Sequence, residues 1–280
     1  MSIELATQFK PYVDEQFTKE SKLSLITNKD FDWTGAHSVK VYKISTSPMN
    51  DYDRNGTGAN ASRFGEVKDL DATTEEFTLT RDRSFTFAVD KLDSDETKRT
   101  MQASAALARQ NREVVIPEID AYVYGKIVAG AGTTATAEEL TSENIFDKIL
   151  TANNALDDAC VPESGRCLVV TPTTYFLMKR ANDIVMNTDL GQDMRLKGVI
   201  ANLDGCAVIK VPAARLPKDF GFMVVHPCAT VAPVKLEDYR IHQDPPGISG
   251  DLVEGRICYD AFVLDNKKKA IYYQPLPASE

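Results

Sequence analysis

The chain has 280 residues, 43% of them hydrophobic and 26% charged, so it can bury a sizeable core and has an ordinary globular composition. Its net charge of −9 argues against an electrostatic grip on nucleic acid or an anionic membrane, because phosphate binding relies on clustered Lys and Arg. The N-terminus has acids early and no apolar signal-peptide core, and no window approaches the ~18 apolar residues of a membrane span.

Residues 1–33 are predicted to form an arm rather than part of a core. A short amphipathic stretch over Phe9–Phe17 is followed by a segment with thin apolar content, whose exposed anchors are Leu25, Phe31 and Trp33. The single Trp either docks on something larger or caps the local core, and the sequence is compatible with both.

A long hairpin follows the arm. Residues 38–45 alternate as one strand, and residues 46–74 are rich in small and polar side chains, which predicts a mobile loop. From Phe77 to Val89 the alternation continues without a break, which predicts a strand of roughly 40 Å.

The apolar stripe of this strand needs a surface to cover it, because an isolated two-stranded ribbon is unstable in water. We expect that surface to be a neighbouring copy of the chain, with Arg81 and Arg83 facing carboxylates across the contact. Alternatively, residues 80–83 form a tight turn that joins two ordinary strands. The side chains predicted to lie at the subunit interface are Phe31, Trp33, Phe77, Leu79, Arg81, Arg83 and Phe85.

From Leu92 the apolar period becomes helical. Asp93 or Ser94 is placed as an N-cap, with Glu96 in the capping-box position. Helical spacing continues to Ala129, and Pro117 is expected to kink or split the helix near Glu113, because proline lacks a backbone donor.

Helices and strands alternate in the next part of the chain, which predicts an α/β block. The tail is predicted to return to long strands. The predicted elements are helices over 142–159 and 173–182, block strands over 165–172, 206–212 and 220–227, and tail strands over 234–244, 252–265 and 267–275. The fold class predicted for the whole chain is α+β.

The sequence shows no constellation for catalysis, a metal or a cofactor. Its three histidines have no metal-ligand spacing, and no phosphate-binding or nucleophile motif is present. Residues 51–62 open like a calcium loop, but Ser62 stands where a bidentate Glu is needed, so this segment is predicted to be a polar loop tip. The five scattered cysteines are predicted to be buried free thiols.

The order of the parts resembles the major capsid proteins of tailed bacteriophages, which have the Hong Kong 97-like fold. The resemblance rests on three stretches: LKGVIANLDGCAVIKVPAARLP (196–217), FGFMVVHPCATVAPVKLEDYRI (220–241) and GDLVEGRICYDAFVLDNKKKAIYY (250–273). It implies five parts: an N-terminal arm (1–33), an extended hairpin or E-loop (34–92), a P-domain spine helix (93–135), an A-domain (136–230) and returning P-domain strands (231–280).

The resemblance implies a structural protein without enzymatic activity or cofactors. It would form hexamers and pentamers of an icosahedral shell around phage double-stranded DNA. The implied partners are further copies of the chain, a separate scaffolding protein and a portal. The implied location is the virion, with assembly in the host cytoplasm and no membrane. Deleting the arm would then cost assembly rather than solubility.

Two alternatives remain at this point. The first is an encapsulin-type nanocompartment shell, which shares the fold. The second is a soluble cytosolic binding protein in which the hairpin folds back on its own core.

Overall fold

The computed structural model describes residues 21–28, 38–55, 63–65, 69–70, 72–91, 103–181 and 202–278. The chain divides into two compact units. One is the hairpin unit, Trp33–Leu79, and the other, called the body here, combines Met1–Asp32 with Thr80–Glu280.

The hairpin unit contains two strands, β1 (Ser38–Ile44) and β2 (Ala72–Thr78). They pair antiparallel, with Ser38 opposite Thr78 and Ile44 opposite Ala72. The prediction of a hairpin is therefore confirmed, although its second strand lies earlier in the sequence than expected.

The prediction of one continuous strand from Phe77 to Val89 is wrong. β2 ends at Thr78, and a new strand, β3 (Arg81–Asp90), begins after a break at Leu79 and Thr80. The two halves have different partners, because β2 pairs with β1 whereas β3 joins β10 (Val234–Gln243) and β11 (Gly250–Tyr259) in a three-stranded sheet of order β10-β11-β3.

The predicted helix covers one side of this sheet in two pieces. α1 (Ala103–Gln110) and α2 (Ile116–Ala129) are joined by a wider π-helical turn at Asn111–Val115. The predicted interruption near Glu113 appears as this π-helical turn. The backbone stays helical through it, so Pro117 removes one hydrogen-bond donor from a continuing helix. The predicted cap at residues 93–96 lies outside the described residues.

The α/β block forms around a six-stranded mixed sheet of order β4-β13-β8-β5-β7-β6. Its strands are β4 (Thr133–Thr134), β5 (Cys167–Val170), β6 (Asn202–Leu203), β7 (Cys206–Lys210), β8 (Phe220–Val225) and β13 (Ile271–Pro275). A short two-stranded pairing joins β9 (Thr230–Val231) to β12 (Phe262–Val263). The last strand thus lies beside β8 in the block, whereas the sequence grouped it with β10 and β11.

Both sides of this sheet are buried. Val123 and Ile127 of α2 share one core cluster with Met223 and Val225 of β8. The opposite side packs against α3 (Ile145–Asp158) and α4 (Pro172–Arg180), which share a second cluster with Phe222 and Val224. β8 is therefore buried along its whole length, which explains its continuous apolar sequence.

The segment 21–28 belongs to the core, contrary to the prediction of a detached arm. Ile26 is fully buried. Ser21 Oγ donates to Asp120 Oδ1 at 2.6 Å, and the backbone N–H of Asn28 donates to the Thr230 carbonyl at 2.7 Å. Residues 21–28 of the predicted arm are thus anchored within their own subunit.

Asn153 of α3 is a buried polar residue that secures the turn between β6 and β7. Its Nδ2 donates to Asp204 Oδ2 at 2.7 Å, and its Oδ1 accepts from the Cys206 thiol at 3.2 Å. The turn needs this support because Asp204 and Gly205 both adopt positive φ angles. Burial raises the pKa of Cys206 to about 11, so this thiol stays protonated and able to donate.

Asn153→Ala is expected to lower the free energy of unfolding by about 1–3 kcal/mol, because it removes the hydrogen bonds to Asp204 and leaves the buried Cys206 thiol without its acceptor. Asn154→Ala is the matched control, because Asn154 is the next residue on the same helix and its side chain is exposed. Urea denaturation of both variants measures the difference. Equal midpoints would show that Asn153 does not secure the turn.

The buried-thiol prediction holds for two of the cysteines. Cys167 and Cys206 are buried, Cys228 and Cys258 are partly buried, and Cys160 is exposed. All five are free.

Candidate subunit interface

The predicted interface arginines lie on β3, on the side of the sheet that α2 covers. Arg83 Nε donates to Glu118 Oε1 of α2 at 2.8 Å, and this hydrogen bond raises the pKa of Arg83 above its ordinary value. The guanidinium of Arg81 lies 4.5 Å from the centre of the Tyr122 ring. Each arginine thus has a partner in its own chain. Both remain exposed, so their role at a subunit contact stays a prediction.

Phe85 also makes contacts within its own chain. Its ring lies 6.1 Å from the Tyr239 ring and 6.2 Å from the Phe87 ring. Gly255 on the central strand makes room for this packing, because a Cβ there would lie 2.4 Å from the Phe85 ring. The part of the predicted apolar stripe that lies on β3 therefore packs inside the subunit.

The remaining predicted interface residues fall into two groups. Phe77 is buried and Leu79 is half-buried, and both belong to the hairpin unit. Phe31 and Trp33 lie outside the described residues. Their place at a subunit interface stays a prediction.

The loop of the hairpin unit carries large apolar side chains that the sequence analysis overlooked. We call Met49, Tyr52, Phe64 and Leu70 the tip residues. Met49 is 99% exposed and Phe64 is 80% exposed. The Tyr52 and Phe64 rings pack edge to face at 5.1 Å, and the Asp53 N–H donates to the Arg63 carbonyl at 3.0 Å across the loop. Their presence in an otherwise polar loop was the available signal.

The side of the three-stranded sheet that faces away from α2 is charged rather than apolar. Arg256 pairs with Asp82 at 2.5 Å, Arg240 with Asp238 at 2.8 Å, and His242 with Glu254 at 3.3 Å. All of these pairs are solvent-exposed, so each contributes little to stability.

Sequence analysis also missed a buried carboxylate, Asp260, which directly follows β11 and bonds to Thr80, the residue before β3. Its two oxygens accept hydrogen bonds from Thr80, Tyr122 and Ala261, each at 2.7–2.8 Å. Burial by itself would raise the pKa of Asp260, but these hydrogen bonds together hold it below its ordinary value. Asp260 therefore stays ionised inside the protein.

Comparison with solved structures places this architecture among phage proteins. The structure is similar to a chain from Mycobacterium phage Che8, with a TM-score of 0.81 and 18% sequence identity over 98% of each chain. It is also similar to a chain of the capsid of cyanophage P-SCSP1u, with a TM-score of 0.78 and 15% identity over 98% of this chain and 93% of that one. This is a phage capsid fold.

A virus-like particle from Pyrococcus furiosus shares the fold less closely, with a TM-score of 0.56 and 13% identity over 91% of this chain and 92% of that one. Neither a protein-family model nor a curated protein sequence matches the chain. Within the described part of the chain, no helix has the length and apolar character needed to cross a membrane.

Proposed function

We propose that this chain is the major capsid protein of a tailed bacteriophage with the Hong Kong 97-like layout. The observation that carries the proposal is the similarity to a phage capsid chain along nearly the whole length of the protein. The hairpin unit is the E-loop, α1 and α2 with the three-stranded sheet are the P-domain, and the six-stranded sheet with α3 and α4 is the A-domain.

Copies of the chain assemble into the hexamers and pentamers of an icosahedral shell that encloses double-stranded DNA. The net charge of −9 suits this role, because a strongly basic interior would bind the genome and hinder its packing. A separate scaffolding protein and a portal take part in assembly in the host cytoplasm. The protein acts without catalysis, and its final location is the virion.

The E-loop contacts a second copy of the chain through its tip residues. Soluble monomers rarely expose clustered large apolar side chains, and such clusters are typical of interaction surfaces. Here the aromatic pair of Tyr52 and Phe64 is exposed on a loop held together across its two sides. Aromatic side chains are also the residues that most often dominate the energy of protein interfaces.

Replacing both rings (Tyr52→Ser with Phe64→Ser) is expected to lower particle yield about tenfold or more, while the subunit stays folded and soluble. The control is Asp51→Ser with Arg54→Ser, which removes two exposed charges from the same loop. Sedimentation and negative-stain electron microscopy measure particles, and circular dichroism measures folding. Normal particle yield from the aromatic variant would contradict a contact made by the tip.

The same particles test the second candidate, a nanocompartment shell, which the similarity to the Pyrococcus furiosus particle favours. Closed shells assembled in phage-infected cells and filled with double-stranded DNA support the capsid. Shells that enclose a protein and no DNA support the nanocompartment. A wild-type chain that forms no shells, tubes or rings under any assembly condition would contradict both.

A further inference from the structure

The chain passes from the hairpin unit to the body between Leu79 and Thr80. At this junction Asp260 Oδ2 accepts two hydrogen bonds from Thr80, one from the backbone N–H at 2.8 Å and one from the hydroxyl at 2.7 Å. Thr80 is exposed, whereas Asp260 is 2% exposed. Thr80, the first residue of the body, is therefore hydrogen-bonded to a buried side chain.

The other oxygen of Asp260 makes no bond to the junction and accepts from residues inside the body. Oδ1 accepts from the Tyr122 hydroxyl of α2 at 2.8 Å and from the Ala261 N–H at 2.8 Å. A carboxylate has about four acceptor positions, so all of them are used. The side chains of Arg81 and Lys126 lie over the Tyr122 ring, 4.5 Å and 5.6 Å from its centre.

These contacts explain why the alternating sequence does not form one strand. The Thr80 N–H, which a continuous strand would direct to a neighbouring strand, donates instead to a side chain. Pairing with β11 then begins at Arg81, opposite Tyr259. The break is therefore made by a side chain that is distant in sequence.

We propose that Asp260 is a positioning residue for the E-loop, which fixes the residue where the hairpin joins the body so that the tip can bind a second copy. This inference rests on the proposed function, since the position of the hairpin matters only if the hairpin makes a contact. A fixed junction reduces the conformational freedom that the hairpin loses on binding, and so favours assembly.

The test compares two variants that each remove one hydroxyl donor from Asp260. Thr80→Val loses the donor at the junction, and Tyr122→Phe loses the donor on α2 while keeping its ring. A third variant, Asp260→Asn, replaces one carboxylate oxygen with an NH2 group, which cannot accept the hydrogen bonds that converge on this side chain. Asp82→Asn is the control, because it removes an exposed carboxylate from the neighbouring strand.

Two readouts separate a positioning role from a merely structural one. The first is hydrogen exchange of the Thr80 amide in the unassembled subunit, measured by mass spectrometry on overlapping peptides. We expect Asp260→Asn to accelerate this exchange about ten- to a hundredfold, the factor for one hydrogen bond to a charged acceptor. The second readout is particle yield.

We expect Thr80→Val and Asp260→Asn to lose most of their particle yield, while Tyr122→Phe and Asp82→Asn assemble normally. If Asp260→Asn does not fold, the comparison of Thr80→Val with Tyr122→Phe decides. Equal losses in these two would assign the effect to general destabilisation and overturn the proposal. Normal assembly by Thr80→Val would overturn it too, and would leave the capsid function intact. A wild-type chain that never assembles would overturn the proposed function, and the positioning role with it.

Discussion

Arg215→Met is expected to lower the free energy of unfolding by about 3–5 kcal/mol, because it leaves a buried carboxylate without its ion pair. Arg215 Nη1 donates to Asp120 Oδ2 at 2.8 Å, and the two residues are 6% and 2% exposed. Among the described residues, the Asp120 carboxylate of the variant would keep the hydrogen bond from the Ser21 hydroxyl but no cation. Urea denaturation near neutral pH measures the loss.

The loss should depend on pH in a definite direction. Burial raises the pKa of Asp120 above its ordinary value, against the hydrogen bond from Ser21 and the charge of Arg215. Without Arg215 the pKa of Asp120 rises further, so the folded variant binds a proton more readily than the unfolded chain. Stability gained from that proton is present at low pH and lost as the pH rises through the folded pKa. The defect is therefore smaller at about pH 5 than at about pH 7.

Two controls accompany the Arg215 variant. Lys91→Met breaks an exposed ion pair with Asp244 and should leave the unfolding midpoint unchanged. Asp120→Asn combined with Arg215→Met removes both charges and should recover part of the loss. An Arg215→Met variant as stable as the wild type would refute the assignment of this pair to the core.

Loss of residues 21–28 is expected to prevent folding rather than assembly alone. Ile26 is fully buried among the core side chains that α2 and the six-stranded sheet contribute, and Thr230 Oγ1 donates to its carbonyl. A chain truncated before residue 29 should be insoluble, whereas one truncated before residue 21 keeps this anchor and should fold. Solubility and circular dichroism of the two truncations measure the difference.

Point variants provide a sharper comparison within the same segment. Ile26→Ala should cost about 2–5 kcal/mol, the usual range for emptying a buried aliphatic site. Leu25→Ala should cost little, because Leu25 is 51% exposed. If the two variants lose equal stability, or if the longer truncation folds normally, the segment is not part of the core.

Most elements were predictable because periodicity is a local property of the chain. A helix or strand with one buried side shows that side in its own sequence, at a period of 3.6 or 2 residues. The predicted helix over 142–159 appears as Ile145–Asp158, and the predicted strand over 206–212 appears as Cys206–Lys210. The interruption near Glu113, seen as a π-helical turn, was predicted from Pro117.

Strand partners were decided only by the tertiary structure. The sequence from Phe77 to Val89 reads as one strand, yet its halves pair with β1 and with β11. Alternation of apolar and polar residues indicates that one side of a strand is buried, but it does not indicate which strand pairs with it. For the same reason the sequence could not place β13 beside β8.

The sequence by itself therefore predicted most of the helices and strands, the mixture of helix and sheet, and the presence of a hairpin, since each depends on neighbouring residues. The tertiary structure decided where the hairpin ends, because Thr80 is held by a carboxylate 180 residues further along the chain. It also decided that Ile26 is a core residue, although the apolar content around it is thin. Burial of a single side chain depends on the cavity that distant segments provide, and no local pattern in the sequence reports that cavity.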